Sequence, residues 1–292
     1  AISRRNTAEP AQAKAVEAEP RSSATPDAGR WSRERIVPVK ASETLLENGL
    51  LRVRLADDGT IASIYDREFE REVLADGANR LLVWEDRPYS WDAWDISHYY
   101  RETEPEQATL VDRQLVESGP LRAAVEQRFT VGSSTIVQRI ILEAESRLVR
   151  VECHVEWRES HRQLRVQARP ALRSLEATYE IQFGTVRRPA HGNTSWDDAQ
   201  FEVAGQRFAD LSQPDYGLGL VNDSKYGHYV RDGVMELTLL RSPKDPDPDA
   251  DMGEHDFVYG YYPHALGWEA SDLLERSHEL NTPLLVRPTK QP

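Results

Sequence analysis

Between Trp84 and Tyr100 five bulky aromatics, Trp84, Tyr89, Trp91, Trp94 and Tyr99, are interleaved with Glu85, Asp86, Asp92, Asp95 and His98. A pyranose presents C–H groups that stack on an aromatic ring and hydroxyls that donate to carboxylates, so a sugar cleft needs both residue types on one surface. The competing reading is a core tryptophan pair flanked by turn-forming aspartates. Trp94 and Asp95 are adjacent, and strand neighbours point to opposite faces, so both reach one ligand only if the segment leaves its sheet as a loop. Pro88 upstream favours that departure.

Two further stretches carry polar chemistry. The run from Gly217 to Val221 is an apolar strand leading into a turn with Asn222, Asp223, Lys225 and Tyr226. It lacks the third glycine and the following helix of a dinucleotide fingerprint, and turn chemistry accounts for its Asn, Asp and Gly. In the acidic run, Asp245, Asp247, Asp249 and Asp251 recur at every second residue. An EF-hand loop starting at Asp247 would need Gly at position 252 and Glu at 258, where Met252 and Val258 stand, so a proline-stiffened solvated loop is the expectation. His154 lies between Glu152 and Glu156 as an exposed charge cluster, and neither HExxH nor GxSxG occurs.

The elements that must position these residues are strands. Leu51, Val53 and Leu55 alternate with Arg52 and Arg54 after Asn48-Gly49, and Asp57-Asp58-Gly59 turns into Ile61–Tyr65. Leu121 to Val131 and Val149 to Trp157 read as long half-buried strands. Similar runs are expected at 107–117, 134–143, 163–169, 177–183, 199–209, 217–222, 233–241 and 255–262, broken by Gly, Pro, Asn and Asp rather than helices. Only 268–280 has a helical pattern. The expectation is a mostly β chain of two large packed antiparallel sheets.

Residues 1–40 hold 8 basic and 5 acidic side chains among Ala, Pro and Ser and read as a poorly ordered linker, leaving 41–292 as the folded domain. The 292 residues carry a net charge of −13, which disfavours nucleic acid and anionic membrane surfaces as partners. No apolar run approaches the roughly 18 residues of a membrane span. The single cysteine, Cys153, fits a reducing, cytoplasmic setting. With Ala1 first and methionines only at 235 and 252, the chain reads as a piece of a longer protein, cut at both ends.

Six ordered segments add a resemblance: Leu46-Glu-Asn-Gly-Leu-Leu, Tyr89-Ser-Trp-Asp-Ala-Trp-Asp-Ile96, Val155-Glu-Trp-Arg-Glu, Ala177-Thr-Tyr-Glu-Ile-Gln-Phe-Gly184, Asn222-Asp-Ser-Lys-Tyr-Gly227 and Leu239-Leu-Arg-Ser-Pro243. Together they resemble the C-terminal β domain of glycoside hydrolase family 38 α-mannosidases. The resemblance implies a β supersandwich related to galactose-mutarotase-like folds. It also implies a retaining hydrolase of terminal α-D-mannosyl residues in mannose metabolism, whose zinc ligands and catalytic carboxylates lie in an N-terminal domain absent here. No zinc or other cofactor is then expected in this chain, which would be inactive alone. Trp94 resembles an aromatic that borders the sugar, with Asp95 beside it. Asp223, Lys225 and Tyr226 of the 222–226 turn, and Asp251, fall near positions facing the same cleft. The expected partners are an α-mannoside and the N-terminal catalytic domain, and a domain excised from that partner would expose apolar surface and self-associate as a homo-oligomer. A stand-alone carbohydrate-binding domain and a structural scaffold remain as alternatives.

Overall fold

The computed structural model describes residues 36–287. Alternation of apolar and polar side chains becomes alternation of burial: in Leu51–Leu55 the apolar residues are buried and Arg52 and Arg54 exposed. Val149, Val151, Cys153, Val155 and Trp157 are likewise all buried along Val149–Trp157. The turn before Ile61–Asp66 depends on Gly59, whose φ of +90° suits only glycine and where a Cβ would lie 2.5 Å from the Phe129 ring.

Three antiparallel sheets result, where alternation alone suggested two, because the count of alternating runs does not encode which strands pair. Five strands between Lys40–Ser42 and Arg71–Glu72 form a meander. A nine-stranded sheet runs in the order Gly184–Pro189, Glu176–Ile181, Phe208–Ser212, Tyr216–Asn222, Gly253–Ala265, Val149–Trp157, Ser134–Glu143, Arg122–Val131 and Thr109–Ser118. A six-stranded sheet runs Val203–Ala204, Gly227–Arg231, Val234–Arg241, Arg162–Ala168, Arg80–Glu85 and Glu106–Gln107.

One apolar cluster links all three sheets, from Leu51 and Ile64 through Val125, Val151 and Trp157 to Leu164 and Leu237. A buried polar knot crosses it. Asn79 Nδ2 donates to Gln138 Oε1 at 2.8 Å, Gln138 Nε2 donates to the Tyr259 hydroxyl at 2.7 Å, and the Asn79 amide donates to the Tyr261 hydroxyl at 3.0 Å. Each buried polar atom so paired avoids a desolvation cost of about 1–3 kcal/mol. Cys153 lies against this knot, and burial pushes its thiol up to about 12, which removes it from nucleophilic chemistry.

Two expectations need correction. The run 199–209 is not one strand: a capping box at Thr194 and Asp197 starts a helix at Ser195–Asp198, and the chain then supplies Val203–Ala204 to the six-stranded sheet and Phe208–Ser212 to the nine-stranded one. Phe201 packs beside Trp84 and Tyr100 instead of joining either ladder. The folded body also begins before residue 41, since Val39 is buried and its amide donates to Pro120 O at 3.0 Å. The rest of the linker reading, residues 1–35, lies outside the described residues. The helical expectation resolves into a 3-10 turn at Trp268–Ala270 and a helix at Leu273–Asn281, with Leu273 seated over Gly219.

Trp157 is wholly buried, and its Nε1 donates to Ser242 Oγ at 3.1 Å. Trp157→Ala is expected to cost about 3–5 kcal/mol in urea denaturation, the range for truncating a buried aromatic.

Candidate functional site

The six-stranded sheet presents a polar face beneath its covering loops. Arg165 pairs in register with Leu82 on one side and Thr238 on the other, and neither Arg165 nor Glu236 exposes any side-chain surface. Arg165 Nε donates to Glu236 Oε2 at 2.8 Å, and its Nη1 lies 2.8 Å from Glu202 Oε1. Arg101 Nη2 donates to Glu236 Oε2 at 2.6 Å, Gln167 Nε2 to Glu236 Oε1 at 2.7 Å, and the Tyr100 hydroxyl to Glu202. Burial alone would raise the Glu236 carboxyl, but Arg165 and Arg101 hold it below the usual carboxylate range. This neutral quartet fastens the 3-10 turn His98–Glu102 and the segment before Val203 to the sheet.

That fastening divides the aromatic stretch. Trp84 and Tyr100 are core, with ring centroids 5.4 Å apart in an edge-to-face pair. Tyr89, Trp91, Trp94 and Tyr99 are exposed, Trp91 and Trp94 at 70% each. Residues 87–97 leave the sheet as a loop, hereafter the aromatic arm, in which the Trp94 and Asp95 amides both donate to Trp91 O at 2.8 Å. Arg241, at the end of its strand, donates from Nε to Asp86 Oδ2 at 2.6 Å and from Nη2 to Asp95 O at 2.7 Å. The Asp95 carboxylate accepts from the Ile96 amide at 2.9 Å.

The turn at 222–226 follows a fully buried strand. Asn222 Oδ1 accepts from the Lys225 amide at 2.7 Å, and the Asp223 amide donates to Val258 O at 3.0 Å. Lys225 Nζ sits 4.4 Å from the centroid of the Phe257 ring. Burial lowers its ammonium from the ordinary lysine value, partly offset by Asp251 and Asp223. Tyr226 is exposed. Asp251 Oδ2 accepts from the Arg241 amide at 3.2 Å.

A groove of ≈ 460 Å³ forms where these segments meet, lined by Ile96 of the arm, Glu202, Lys225, Tyr226, Arg241 and Asp251 among others. Of the six sequence-predicted residues, Lys225, Tyr226 and Asp251 line it directly. Trp94 and Asp95 belong to the arm whose Ile96 forms one wall, and Asp223 sits in the turn beside Lys225. Larger clefts of ≈ 630 Å³, beside the C-terminal helix, and ≈ 740 Å³, around Pro170–Leu175, contain none of the six. Arg241, Ile96 and Glu202 were not anticipated. Arg241 stands in the Leu239-Leu-Arg-Ser-Pro243 segment, but no spacing pattern points to its partners.

Exposed rings, a half-buried ammonium and carboxylates suit a neutral polyhydroxylated ligand. Glu202 is committed to Arg165, Arg101 and Tyr100. Among the described residues no group of three or more His, Cys, Asp and Glu is arranged to hold a metal ion. The acidic row does not fit zinc: Asp247 Oδ1 accepts from the Asp249 amide at 2.9 Å, and Asp251 is turned to Arg241. His228 is buried and pushed down to about 3 by burial and by Arg165 and Arg188, so its imidazole stays neutral. His154 pairs with Asp256 at 2.9 Å, which raises its pKa, on a strand outside the groove.

The fold, three antiparallel sheets around one apolar core, is found within a solved structure. A solved family 38 glycosyl hydrolase from Enterococcus faecalis superposes with a TM-score of 0.71 at 15% identity, covering 84% of this chain and 33% of that one. The family described as "Glycosyl hydrolases family 38 C-terminal domain" matches residues 46–249, and the chain belongs to it. It is 40% identical over 251 residues to mouse "Alpha-mannosidase 2C1" and 37% identical over 257 residues to "Alpha-mannosidase G" of Dictyostelium discoideum. In each case the match covers 85% of this chain, which spans about a quarter of the relative's length (24%).

Glu236→Gln leaves Arg165 and Arg101 without full counter-charge and is expected to cost about 3–5 kcal/mol in urea. Because the folded carboxyl is held low, its contribution is present above the unfolded value of about 4.3 and is lost as pH falls through the folded value. Stability of the variant should therefore fall less steeply than that of the wild type below about pH 4, as read from denaturation midpoints across the acid range.

Proposed function

We propose that this chain is the β portion of an α-mannosidase that hydrolyses terminal α-D-mannosyl residues of oligosaccharides, with retention of configuration, in cytoplasmic mannose metabolism. In this reading it supports a catalytic domain carried elsewhere in the polypeptide and lends the rim of the sugar site. The observation that carries it is the convergence of the aromatic arm, the Lys225–Tyr226 turn and Asp251 on one groove. Trp94 offers the stacking face. Asp95, Asp223 and Asp251 offer hydroxyl acceptors, and Lys225 and Tyr226 offer donors. The names of the relatives support mannoside as the sugar.

The acid, the nucleophile and the zinc of the complete enzyme belong, on this reading, to the catalytic domain, where a retaining pair of carboxyl groups stands about 5 Å apart. This chain's own residues bind and orient. Its buried thiol, Cys153, accords with a reducing compartment.

Trp94→Ala in an intact two-domain enzyme is expected to weaken substrate binding by about 1–3 kcal/mol while sparing the fold, since the ring is mostly exposed. Unchanged kinetics, or a variant that fails to fold, would overturn the stacking role. The purified chain alone is expected to give no turnover of a chromogenic α-mannoside, with or without added zinc; turnover above a heat-killed control would sink the division of labour.

A further inference from the structure

Ile96 anchors the far end of the aromatic arm on the Leu82, Trp84 and Tyr100 cluster, but the arm's large rings do not pack inward. Tyr89, Trp91 and Trp94 are exposed, and residues 87–97 join no strand ladder. Trp91 also sits at φ +62°, a left-handed conformation that costs a bulky side chain of order 1–3 kcal/mol and persists only where neighbouring contacts enforce it.

The Trp94 and Asp95 amides hold Trp91 O locally, and side-chain contacts at the arm's root and far end meet on Arg241. Arg241 Nε donates to the carboxylate of Asp86 at the arm's root at 2.6 Å, and Nη2 reaches Asp95 O at 2.7 Å and Asp92 O at 3.4 Å near its far end. The Arg241 amide donates to Asp251 Oδ2 at 3.2 Å, so the acidic loop is held by the same residue. Asp92 closes the clasp from the other side, its Oδ2 accepting from the Lys244 amide at 2.5 Å and the Asp245 amide at 3.2 Å. The guanidinium fork spans root and far end at once, which a lysine ammonium on one flexible stem cannot do.

We propose that Arg241 is a positioning residue that sets the aromatic arm and Asp251 along the groove before ligand arrives. The assignment of a sugar to that groove rests on the function proposed above; the clasp itself does not. An arm ordered in advance spares the ligand the entropy of ordering it.

Hydrogen exchange by mass spectrometry on the 292-residue chain tests the clasp, with Arg241→Lys, Arg241→Gln and Asp92→Ala compared with wild type. The expected result is faster exchange confined to residues 87–97 and 245–253 in all three, with protection of Val149–Trp157 unchanged. Titration with methyl α-D-mannopyranoside is expected to show affinity reduced about tenfold or more in Arg241→Lys, with the Trp94→Ala loss no longer additive to it. Unaltered exchange in the arm, or acceleration spread evenly over the strands, overturns the positioning role. A wild-type chain with no saturable mannoside titration counts against the sugar reading, while the exchange pattern still decides the clasp.

Discussion

A guanidinium sealed inside a protein must be matched, and Arg165 is matched by carboxylates from two different parts of the chain: Glu236 on the adjacent strand, and Glu202 from a segment that crosses over the sheet. Arg101 completes the neutrality from a third. Removing either charge sign would leave an uncompensated ion in a low-dielectric layer, a far larger penalty than any surface ion pair brings. The cover over the six-stranded sheet is thus fixed to one position, and the turn carrying Tyr100 marks where the exposed arm must end. Glu202, on the wall of the groove, takes its place from that constraint.

The aromatic-rich stretch shows how one composition serves two roles. Trp84 lies buried on Arg80–Glu85, on the face it shares with Leu82 and opposite the core-facing Leu81 and Val83, and stacks edge-on against Tyr100, whereas Trp91 and Trp94 project from a turn. The stretch is neither wholly core nor wholly a binding platform. Its ends are core, and its middle is surface.

Legibility in the sequence followed physical locality. Leu51–Leu55 and Val149–Trp157 could be read because period-two patterning is a property of consecutive residues. The split at 199–209 was missed although the phase changes within it: Phe201 and Val203 share one face at period two, whereas Phe208, five residues after Val203, falls on the other and begins a strand of a different sheet. Arg241 was equally hidden, because its partners Asp86 and Asp95 lie 155 and 146 residues away. Turn composition placed Lys225 and Tyr226 on a loop, and resemblance alone joined them to Trp94. The groove that Lys225 and Tyr226 line with Ile96 of the arm emerges only in the folded chain.

The central pairing of the nine-stranded sheet has a consequence for how the chain comes into being. Val149–Trp157 takes one neighbour from the preceding hairpin and the other from Gly253–Ala265, in register from Val149 opposite Tyr261 to Trp157 opposite Gly253. During ribosomal synthesis at about 5–20 residues per second, that second edge waits several seconds for its complement. An unpaired, apolar-faced edge is a template for the wrong strand, and closing so long a loop is slow. In that interval the edge shows its apolar Val149, Val151, Cys153 and Val155 on one face and the charged or polar Arg150, Glu152, His154 and Glu156 on the other, the residue types that oppose pairing with a wrong strand.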